Sequence, residues 1–296
     1  MKKLINALFF LLLFINVSSH AATRNVCASG ATYSTIAAAI AAAGNGDQIV
    51  ICPGTYNESL TFTQSNLTIR SSTGNRSDVK INNSATVFMI SGQNATLRNL
   101  TITSTGNGNA AIANDYNNGV GTHTFQNLAI TARGTGIYLQ TGGPHTFKQL
   151  NITSSAGSGI NVGYNADAAH VFDTVTVNSF DDGIVAVRGV DSMEAINVSS
   201  SNGVGITVGS KYTATFADLA VAAQKTAFQM NYVENAQPHS FKDLTLTSQS
   251  GRGMYVDLSG KLTFNTVVVT SNGGNGIELT SNANGTHTFN TVTVTS

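Results

Sequence analysis

Apolar residues in this chain recur in two short pieces, in which they alternate with polar residues. One piece starts with an aromatic residue and has aliphatic residues three and five positions later, as in Phe147, Leu150 and Ile152. The other starts with Gly-Ile and has an aliphatic residue or Ala two positions after the Ile, as in Ile137 and Leu139. Period-two alternation within each piece predicts β-strands, and the short breaks between pieces predict turns.

The aromatic piece returns at a regular interval, with spacings between 21 and 28 residues. A unit of this size is too small to bury its own apolar face, so neighbouring units must stack. Short strands in such units, with no helices between them, predict a single-stranded parallel β-helix with coils of about 24 residues. The positions that define the repeat are Leu97, Phe125, Phe147, Phe172, Met193, Phe216, Phe241, Phe264 and Phe289.

Within each aromatic piece, the gap of three residues before the first aliphatic residue interrupts the alternation. We therefore expect a bend at this point, and many of its occupants are residues that favour turns. The predicted bend positions are Asn99, Asn127, Gln149, Thr174, Ala195, Asp218, Asp243, Thr266 and Thr291.

Ahead of the coils, which we place at 60–296, residues 22–59 predict an N-terminal cap. Residues 33–43 are rich in Ala and predict a short helix, with Thr32 or Ser34 as its N-cap and with two Ile residues four positions apart on one face. A helix at this point would cover the first coil, whose exposed strand edge would otherwise pair with other chains.

The first residues are typical of an export signal. Two Lys residues after Met1 precede a mostly apolar run that ends at Val17, and Ser19-His20-Ala21 is a small-x-small cleavage site. We expect 1–21 to be a signal peptide, because the apolar run is too short to span a bilayer comfortably. The protein should then be periplasmic, on the cell surface or extracellular, with no membrane span.

The two cysteines, Cys27 and Cys52, are the chain's whole complement of thiols. An isolated pair in an exported protein usually forms a disulfide, so we expect one here. Its loop closure would stabilise the protein by about 3 kcal/mol. No His lies near the pair in sequence, which disfavours a metal or a catalytic thiol.

Charged residues make up 10% of the chain, against about 25% in an average globular protein. Without Lys2 and Lys3, the sequence has 13 basic and 15 acidic residues and no run of basic ones. The footprint of a nucleic-acid-binding protein is therefore absent from the sequence.

A family resemblance lies at the N-terminal side of the coils. Residues 35–40 (Thr-Ile-Ala-Ala-Ala-Ile), 46–50 (Gly-Asp-Gln-Ile-Val) and 53–58 (Pro-Gly-Thr-Tyr-Asn-Glu) resemble the opening of secreted bacterial β-helix proteins of the pectate-lyase-like superfamily. The last segment is also similar to the Gly-x-Tyr-x-Glu region of pectin methylesterases. The resemblance extends over nearly all of the mature chain and implies a right-handed parallel β-helix. It does not imply one activity, because this scaffold carries lyases, hydrolases, esterases, epimerases, adhesins and inert rods.

No catalytic pattern of that superfamily is complete here. Asp181-Asp182 resembles the paired carboxylates of polygalacturonases, but the accompanying Gly-His-Gly and Arg-x-Lys motifs are missing. An atypical lyase or hydrolase site could combine acidic and basic side chains, as Ca²⁺-assisted proton abstraction from a uronate requires. The candidate residues for such a site are Asp167, Arg188, Asp191 and Lys211. Ca²⁺ is expected only in that case, and otherwise no cofactor is expected.

All five histidines of the mature chain lie two positions before the aromatic residue of their coil. His123, His145 and His170 belong to consecutive coils and should lie about 5 Å apart. Such a ladder could bind a transition metal. We favour stacked, hydrogen-bonded rings that fill a corner of the coil, because metal sites usually include carboxylate or thiolate ligands.

The loops that lead from the Gly-Ile strand to these histidines are candidates for binding. Aromatic residues beside carboxylates suit a glycan, and loops on a rigid scaffold often carry function. The competing interpretation is that such residues merely populate exposed turns. The candidate ligand-binding residues are Tyr116, Tyr164, Arg188, Tyr232 and Glu234.

The outward side of the second strand half carries many Thr and Asn residues, in two-wide arrays that resemble the ice-binding face of β-helical antifreeze proteins. Thr also favours exposed strands in general, which makes ice binding a weak alternative. The array includes Thr101 and Thr103, Asn151 and Thr153, Thr176 and Asn178, Thr245 and Thr247, and Thr293 and Thr295; Ala129, Ala220, Ala222 and Val268 interrupt it.

Two classes of function remain open. We favour an exported scaffold that binds polysaccharide or a cell-surface glycan without chemistry, and the alternative is a pectate-lyase-like lyase or hydrolase. The strand at residues 291–295 has no cap after it in the sequence. An uncovered strand edge is a template for pairing, so we expect an oligomeric partner or further chain there.

Overall fold

The computed structural model describes residues 21–166, 168–209, 211–231, 237–257, 260–280 and 286–296. These residues form one helix, α1, at Ile36–Ala42 and 24 strands. The strands are β1 Thr23–Val26, β2 Gln48–Ile51, β3 Gly54–Tyr56, β4 Leu60–Phe62, β5 Thr68–Ser71, β6 Val79–Asn83, β7 Phe88–Ile90, β8 Thr96–Ser104, β9 Ile112–Asn114, β10 Thr124–Ala132, β11 Ile137–Thr141, β12 Thr146–Ser154, β13 Ile160–Asn165, β14 His170–Ser179, β15 Ile184–Ala186, β16 Val190–Ser200, β17 Ile206–Val208, β18 Ala214–Ala223, β19 Phe228–Met230, β20 His239–Ser248, β21 Met254–Val256, β22 Leu262–Ser271, β23 Ile277–Leu279 and β24 Thr288–Thr295.

Each strand pairs in parallel with its equivalent in the next coil, which gives two sheets. The ten short strands that contain the Gly-Ile pieces run from β4 to β23 and form what we call the short-strand sheet. The other fourteen, which include the aromatic pieces, form the long-strand sheet. The chain alternates between the two sheets, so the fold is the predicted right-handed parallel β-helix.

Strand register follows the repeat closely. Phe125 pairs with Phe147, and Phe147 pairs with Phe172, as the sequence spacing predicts. Two irregularities interrupt the pairing: one lies between Leu139 and Thr141 in β11, and the other between His170 and Val171 in β14. Both occur on the side of the coil where the short-strand sheet leads into the long-strand sheet.

All nine predicted bend residues have the left-handed backbone conformation. Their φ angles lie between 50° and 59°, whether the residue is Asn, Asp, Gln, Thr or Ala. This conformation costs an ordinary residue about 1–2 kcal/mol, so the stacking of the coils must impose it. The bend lets one long strand bury both its aromatic and its aliphatic side chains in the same core.

The core of the coil is a set of side-chain ladders. The ring centroids of Phe125 and Phe147 are 5.5 Å apart, and those of Phe147 and Phe172 are 4.5 Å apart. Met193 replaces Phe in the next coil and is fully buried. Stacked rings at the rung spacing bury large apolar area without gaps, which accounts for the dominance of Phe at this position.

Helix α1 begins later than residues 33–43 predict. Its N-cap is Thr35, whose hydroxyl accepts a hydrogen bond from the Ala38 N–H at 3.2 Å, so neither Thr32 nor Ser34 is the cap. Tyr33 forms a parallel bridge with Val26, which keeps this part of the chain extended. Competition from strand pairing therefore shortens the helix.

The helix packs on the first coil with its predicted face. Ile36 and Ile40 are buried. The carboxylate of Glu58 accepts hydrogen bonds from the N–H groups of Ile36 and Ala37, at 3.0 and 2.8 Å. Glu58 thereby satisfies two of the N–H groups that a helix start leaves without partners, and places negative charge at the positive end of the helix dipole.

The predicted disulfide between Cys27 and Cys52 is present. Next to it, the Tyr56 hydroxyl donates a hydrogen bond to the Cys52 carbonyl at 3.0 Å. The Gly-x-Tyr-x-Glu segment thus has a structural role in this chain, because its Tyr and Glu both fasten the N-terminal cap.

Strand β24 forms the far edge of the long-strand sheet. On it, the side chains of Phe289 and Val294 are 51% and 46% exposed, whereas equivalent positions in earlier coils are buried. Within the described residues, no helix is long and apolar enough to cross a membrane.

Candidate functional site

The five histidines form what we call the His column: His123, His145, His170, His239 and His287. The rings of His123 and His145 are parallel with centroids 5.1 Å apart, and those of His145 and His170 are 5.0 Å apart. In each case Nδ1 accepts a hydrogen bond from a backbone N–H of the preceding coil; for His145 this is the N–H of His123, at 3.2 Å. The predicted stacked corner is confirmed.

The other ring nitrogen of two of these residues holds a loop. Nε2 of His123 lies 3.0 Å from the Gly119 carbonyl, and Nε2 of His170 lies 2.8 Å from the Ala166 carbonyl. Since Nδ1 accepts, Nε2 carries the proton and donates. Both nitrogens of these rings are occupied, and no cluster of three metal-ligating side chains occurs in the described residues. His123 and His170 therefore position the loops of their own coils.

Burial favours the neutral form of the rings of His123, His145 and His239. Burial lowers the pKa of His239 to about 4. Burial also lowers the pKa of His123, and it lowers that of His145 further, with the neighbouring imidazoles contributing. Nε2 of His145 and Nε2 of His239 are buried without a hydrogen-bond partner in the described part of the chain. Protonation of this column would place charge where no acceptor compensates it.

Where the structure describes them, the segments that connect the short-strand sheet to the long-strand sheet lie on one side of the coils. Tyr116 is 52% exposed, and Arg188 is half-buried. Tyr164 belongs to β13, but its side chain is outside what the structure describes. Tyr232 and Glu234 lie outside the described residues altogether.

One of these loops contributes to a shallow cleft, which we call the tyrosine cleft. It encloses about 270 Å³ and is lined by Tyr116, Tyr138, Gln140, Gly163 and Asn165. The Gln140 amide donates to the Tyr138 hydroxyl at 3.0 Å, and the Asn165 amide donates to the Tyr116 hydroxyl at 3.4 Å. Two phenol rings and two amides, with no charged side chain among them, offer apolar faces beside neutral donors and acceptors.

The cleft is held rigidly from below by Asn114, which is 4% exposed. Its amide donates to the carbonyls of Gly119 and Thr141, at 3.1 and 2.8 Å, and its oxygen accepts from the Gln140 N–H at 2.7 Å. One buried side chain thus ties the Tyr116 loop to β11. Such support keeps a surface site in a fixed shape before a ligand arrives.

The Tyr116 loop is further ordered by Asp115. Its carboxylate accepts from the Asn117 N–H at 2.9 Å and from the Asn118 amide at 3.1 Å. Both bonds lower the pKa of Asp115, and the bond from the Asn117 N–H contributes most. The carboxylate is therefore engaged in forming the turn, and Tyr116 is the exposed aromatic side chain of this loop.

The sequence identified Tyr116 but missed Tyr138, Gln140 and Asn165. Tyr138 occupies the outward position between Ile137 and Leu139, so period-two alternation could have shown that it faces solvent. Its proximity to Tyr116 depends on the path of the loop and has no signal in the sequence.

The candidate catalytic residues receive no support as a group. Asp167 lies outside the described residues. Asp191 is exposed at the register irregularity of β14 and β16, where Val190, the residue before it, pairs with His170. Arg188 precedes β16 and Lys211 precedes β18, so the two belong to loops of successive coils.

The Asp181-Asp182 pair forms a turn. The Asp182 carboxylate accepts from the Val204 N–H at 2.8 Å, and the Asp181 carbonyl accepts from the Ser200 hydroxyl at 2.6 Å. These bonds join one coil to the next. The Asp182 carboxylate is thus engaged in this contact, whereas glycoside hydrolysis needs two carboxylates that face a substrate.

A second polar groove lies along the bend residues of the long-strand sheet. It encloses about 550 Å³, and its lining includes Arg76, Asn127, Gln149 and Thr174. Nη1 of Arg76 lies 3.3 Å from the Leu128 carbonyl, which holds the loop between β5 and β6 against the later coils. The described lining of this groove includes no aromatic side chain.

No protein-family model matches the sequence, and no curated protein is significantly similar to it. Among solved structures, the chain is similar to pectate lyase Pel9A, with 16% identity, a TM-score of 0.54, and coverage of 90% of this chain and 79% of that one. The pectin methylesterase PemA from Erwinia chrysanthemi has 14% identity, a TM-score of 0.38, and coverage of 88% and 80%. The PL6 family alginate lyase AlyGC has 14% identity, a TM-score of 0.43, and coverage of 93% and 40%. The similarity to Pel9A shows that this chain has the pectate-lyase type of parallel β-helix.

Proposed function

We propose that the protein is an exported scaffold that binds polysaccharide, in the medium or on a cell surface, without a chemical step. The tyrosine cleft carries this proposal. The apolar faces of Tyr116 and Tyr138 match the C–H faces of sugar rings, and the amides of Gln140 and Asn165 match their hydroxyls. None of the described lining residues is charged, which favours a neutral glycan over a uronate.

Two further observations support this proposal. The fold is shared with a pectate lyase, and such a rod offers a long surface to a linear polymer. The disulfide between Cys27 and Cys52 supports an oxidising location outside the cytoplasm. Fold similarity alone does not transfer an activity, so the argument rests on the cleft.

Electrophoresis through gels that contain a neutral polysaccharide, or polygalacturonate, tests the proposal. The wild-type protein should be retarded by at least one of the polymers. A Tyr116→Ala/Tyr138→Ala double variant should lose about tenfold or more of the apparent affinity, as for aromatic residues at the centre of an interface. Phe180→Ala is the matched control, because Phe180 is also exposed, at 46%, but lies on a different turn.

Equal retardation of the double variant and the wild type would refute the tyrosine cleft as the binding site. Circular dichroism must show that both variants are folded.

The lyase alternative predicts a different experimental result. Incubation with uronate polymers, with and without Ca²⁺, should produce no unsaturated product if the protein only binds. Formation of such product would replace our proposal, and Asp191→Asn and Lys211→Met would then test the residues predicted from the sequence.

Ice binding remains a second candidate because the strand register aligns the Thr array. Thr103, Thr131 and Thr153 pair in successive coils, and the column continues through Thr247, Thr270 and Thr295. Between these two runs the column holds Asn178, Ser199 and Ala222. The column beside it is interrupted by Ala129, Ala220 and Val268. A measurement of thermal hysteresis decides the matter, and the absence of hysteresis at millimolar protein would exclude ice binding.

A further inference from the structure

The carboxylate of Asp47 lies beside the first residues that the structure describes. It is almost fully buried, at 4% exposure. Its Oδ1 accepts a hydrogen bond from the backbone nitrogen of Ala22, at 2.7 Å. Its Oδ2 accepts from the Gly44 N–H at 2.8 Å and from Nε of Arg24 at 3.0 Å. Three donors thus converge on one buried carboxylate.

Ala22 itself is held on both sides. Its carbonyl accepts a hydrogen bond from the Gln48 N–H at 2.8 Å, in line with the pairing of β1 and β2. Ala22 is exposed to solvent, so its nitrogen is accessible from outside while Asp47 fixes it from inside. Within the described residues, Ala22 is thus fixed by hydrogen bonds at both its nitrogen and its carbonyl, and it directly follows the predicted cleavage site at Ser19-His20-Ala21.

We propose that Asp47 is the receptor for the mature N-terminus, which forms when a signal peptidase cleaves the bond between Ala21 and Ala22. Water supplies the hydroxyl to the Ala21 carbonyl carbon and a proton to the Ala22 nitrogen, and the released amine takes up another proton from solvent. The neutral N–H that now faces Asp47 becomes an ammonium group at the same place, without movement of the backbone.

The charge at this point favours that outcome. Apart from Asp47, the titratable groups around the site are Arg24 and Tyr33, with the Arg24 guanidinium 2.9 Å from Asp47 and 3.0 Å from the Tyr33 hydroxyl. Hydrogen bonds from the Gly44 and Ala22 backbone, together with Arg24, lower the pKa of Asp47, so it is ionised at neutral pH. Because Asp47 is ionised, the bond from the neutral Ala22 N–H is already charge-assisted, and an ammonium at this nitrogen adds the attraction between opposite charges. Removal of the signal peptide should therefore stabilise the folded protein, independently of the function proposed above.

The pKa of the new α-amino group provides a readout specific to this contact. An ammonium that gains a buried carboxylate partner has a folded pKa above its ordinary value of about 8. The stability that it contributes is present below the unfolded pKa and is lost as the pH rises through the folded pKa.

The first experiment determines the N-terminus of the exported protein by intact-mass spectrometry. A first residue other than Ala22 would overturn the proposal.

The second experiment compares the mature protein with a form that carries Gly-Ser ahead of Ala22, which restores a neutral peptide N–H at that nitrogen. The extended form should melt about 2–4 °C lower at pH 7, and the difference should vanish above the α-amino pKa. NMR titration of the α-amino group should show a raised pKa in the mature protein and in the Asp78→Asn control, and an ordinary one in Asp47→Asn.

If Asp47→Asn fails to fold, the comparison of the mature protein with the extended form still tests the contact between Asp47 and the N-terminus. Equal melting temperatures of the mature and extended proteins at pH 7, or an ordinary α-amino pKa in the mature protein, would refute the contact.

Discussion

Acid should destabilise this protein well before its carboxylates are protonated, and His239 should account for a measurable share of the effect. His239 is 2% exposed, and its column neighbours Ala214 and Leu262 cannot compensate a charge. Its Nδ1 accepts from the Ala214 N–H at 3.2 Å, which requires the neutral ring. The folded protein therefore resists protonation that the unfolded chain accepts freely.

The magnitude follows from the two pKa values. The ordinary pKa of 6.5 falls to about 4 in the fold, so below pH 6.5 the unfolded state binds a proton that the folded state does not. The free energy of unfolding should fall by about 2 kcal/mol between pH 7 and pH 5, and by up to about 3 kcal/mol by pH 4, because each pKa unit is worth 1.36 kcal/mol. His123 and His145, whose pKa values are also lowered, act in the same direction.

Urea unfolding followed by circular dichroism at pH 7, 6 and 5 measures this effect. His239→Leu imitates Leu262 of the next coil; it should lower stability at pH 7 through the lost hydrogen bond but flatten the pH dependence by about 2 kcal/mol. Phe264→Leu is the control, since it weakens core packing without removing a titratable group. If His239→Leu keeps the pH dependence of the wild type, burial of this imidazole is not the cause of acid sensitivity.

The remaining predictions concern the cap, a bend and the edge. Glu58→Ala should lower the free energy of unfolding by about 1–2 kcal/mol, because two helix N–H groups lose their acceptor, whereas the exposed neighbour Asn57→Ala should have little effect; equal losses in thermal melts would contradict this. Thr266→Gly should stabilise by about 0.5–1 kcal/mol by relieving a φ of 54°, and Thr270→Gly in the same strand should destabilise, as urea unfolding can show. Light scattering after size exclusion should give more than one chain per particle, because β24 exposes Phe289; a monomeric mass would oppose this.

The scaffold was predictable because its determinants are local and repeated. A large apolar residue, usually Phe, recurs every 21 to 28 residues, and a bend position directly precedes the first aliphatic residue of each such piece. These signals recur often enough to define the strands and the bends. The nine bends and the spacing of the histidine rings agree with the structure. The start of α1 was not predictable from propensity alone, since the pairing of Tyr33 with Val26 overrides the helical preference of the Ala-rich segment.

The candidate site was only partly predictable, because it depends on contacts between coils. Tyr116 stands out in the sequence, but its proximity to Asn165 joins residues 49 positions apart. No sequence motif marks Asn114. Only the structure shows that it is buried and that it ties the Tyr116 loop to β11. The Tyr and Glu of the Gly-x-Tyr-x-Glu segment resemble a family signature, yet here they fasten the N-terminal cap.

The placement of the two register irregularities has a consequence for how such a protein can change. Both lie where the short-strand sheet leads into the long-strand sheet, one within β11 beside Gln140 and the other at the start of β14. From that point onward in each coil, the aromatic and bend positions pair without a slip. Extra residues in the loops are thus absorbed before the chain re-enters the stack. Loop length and composition can vary, and new binding preferences can arise, while the rod behind them keeps its geometry and its stability.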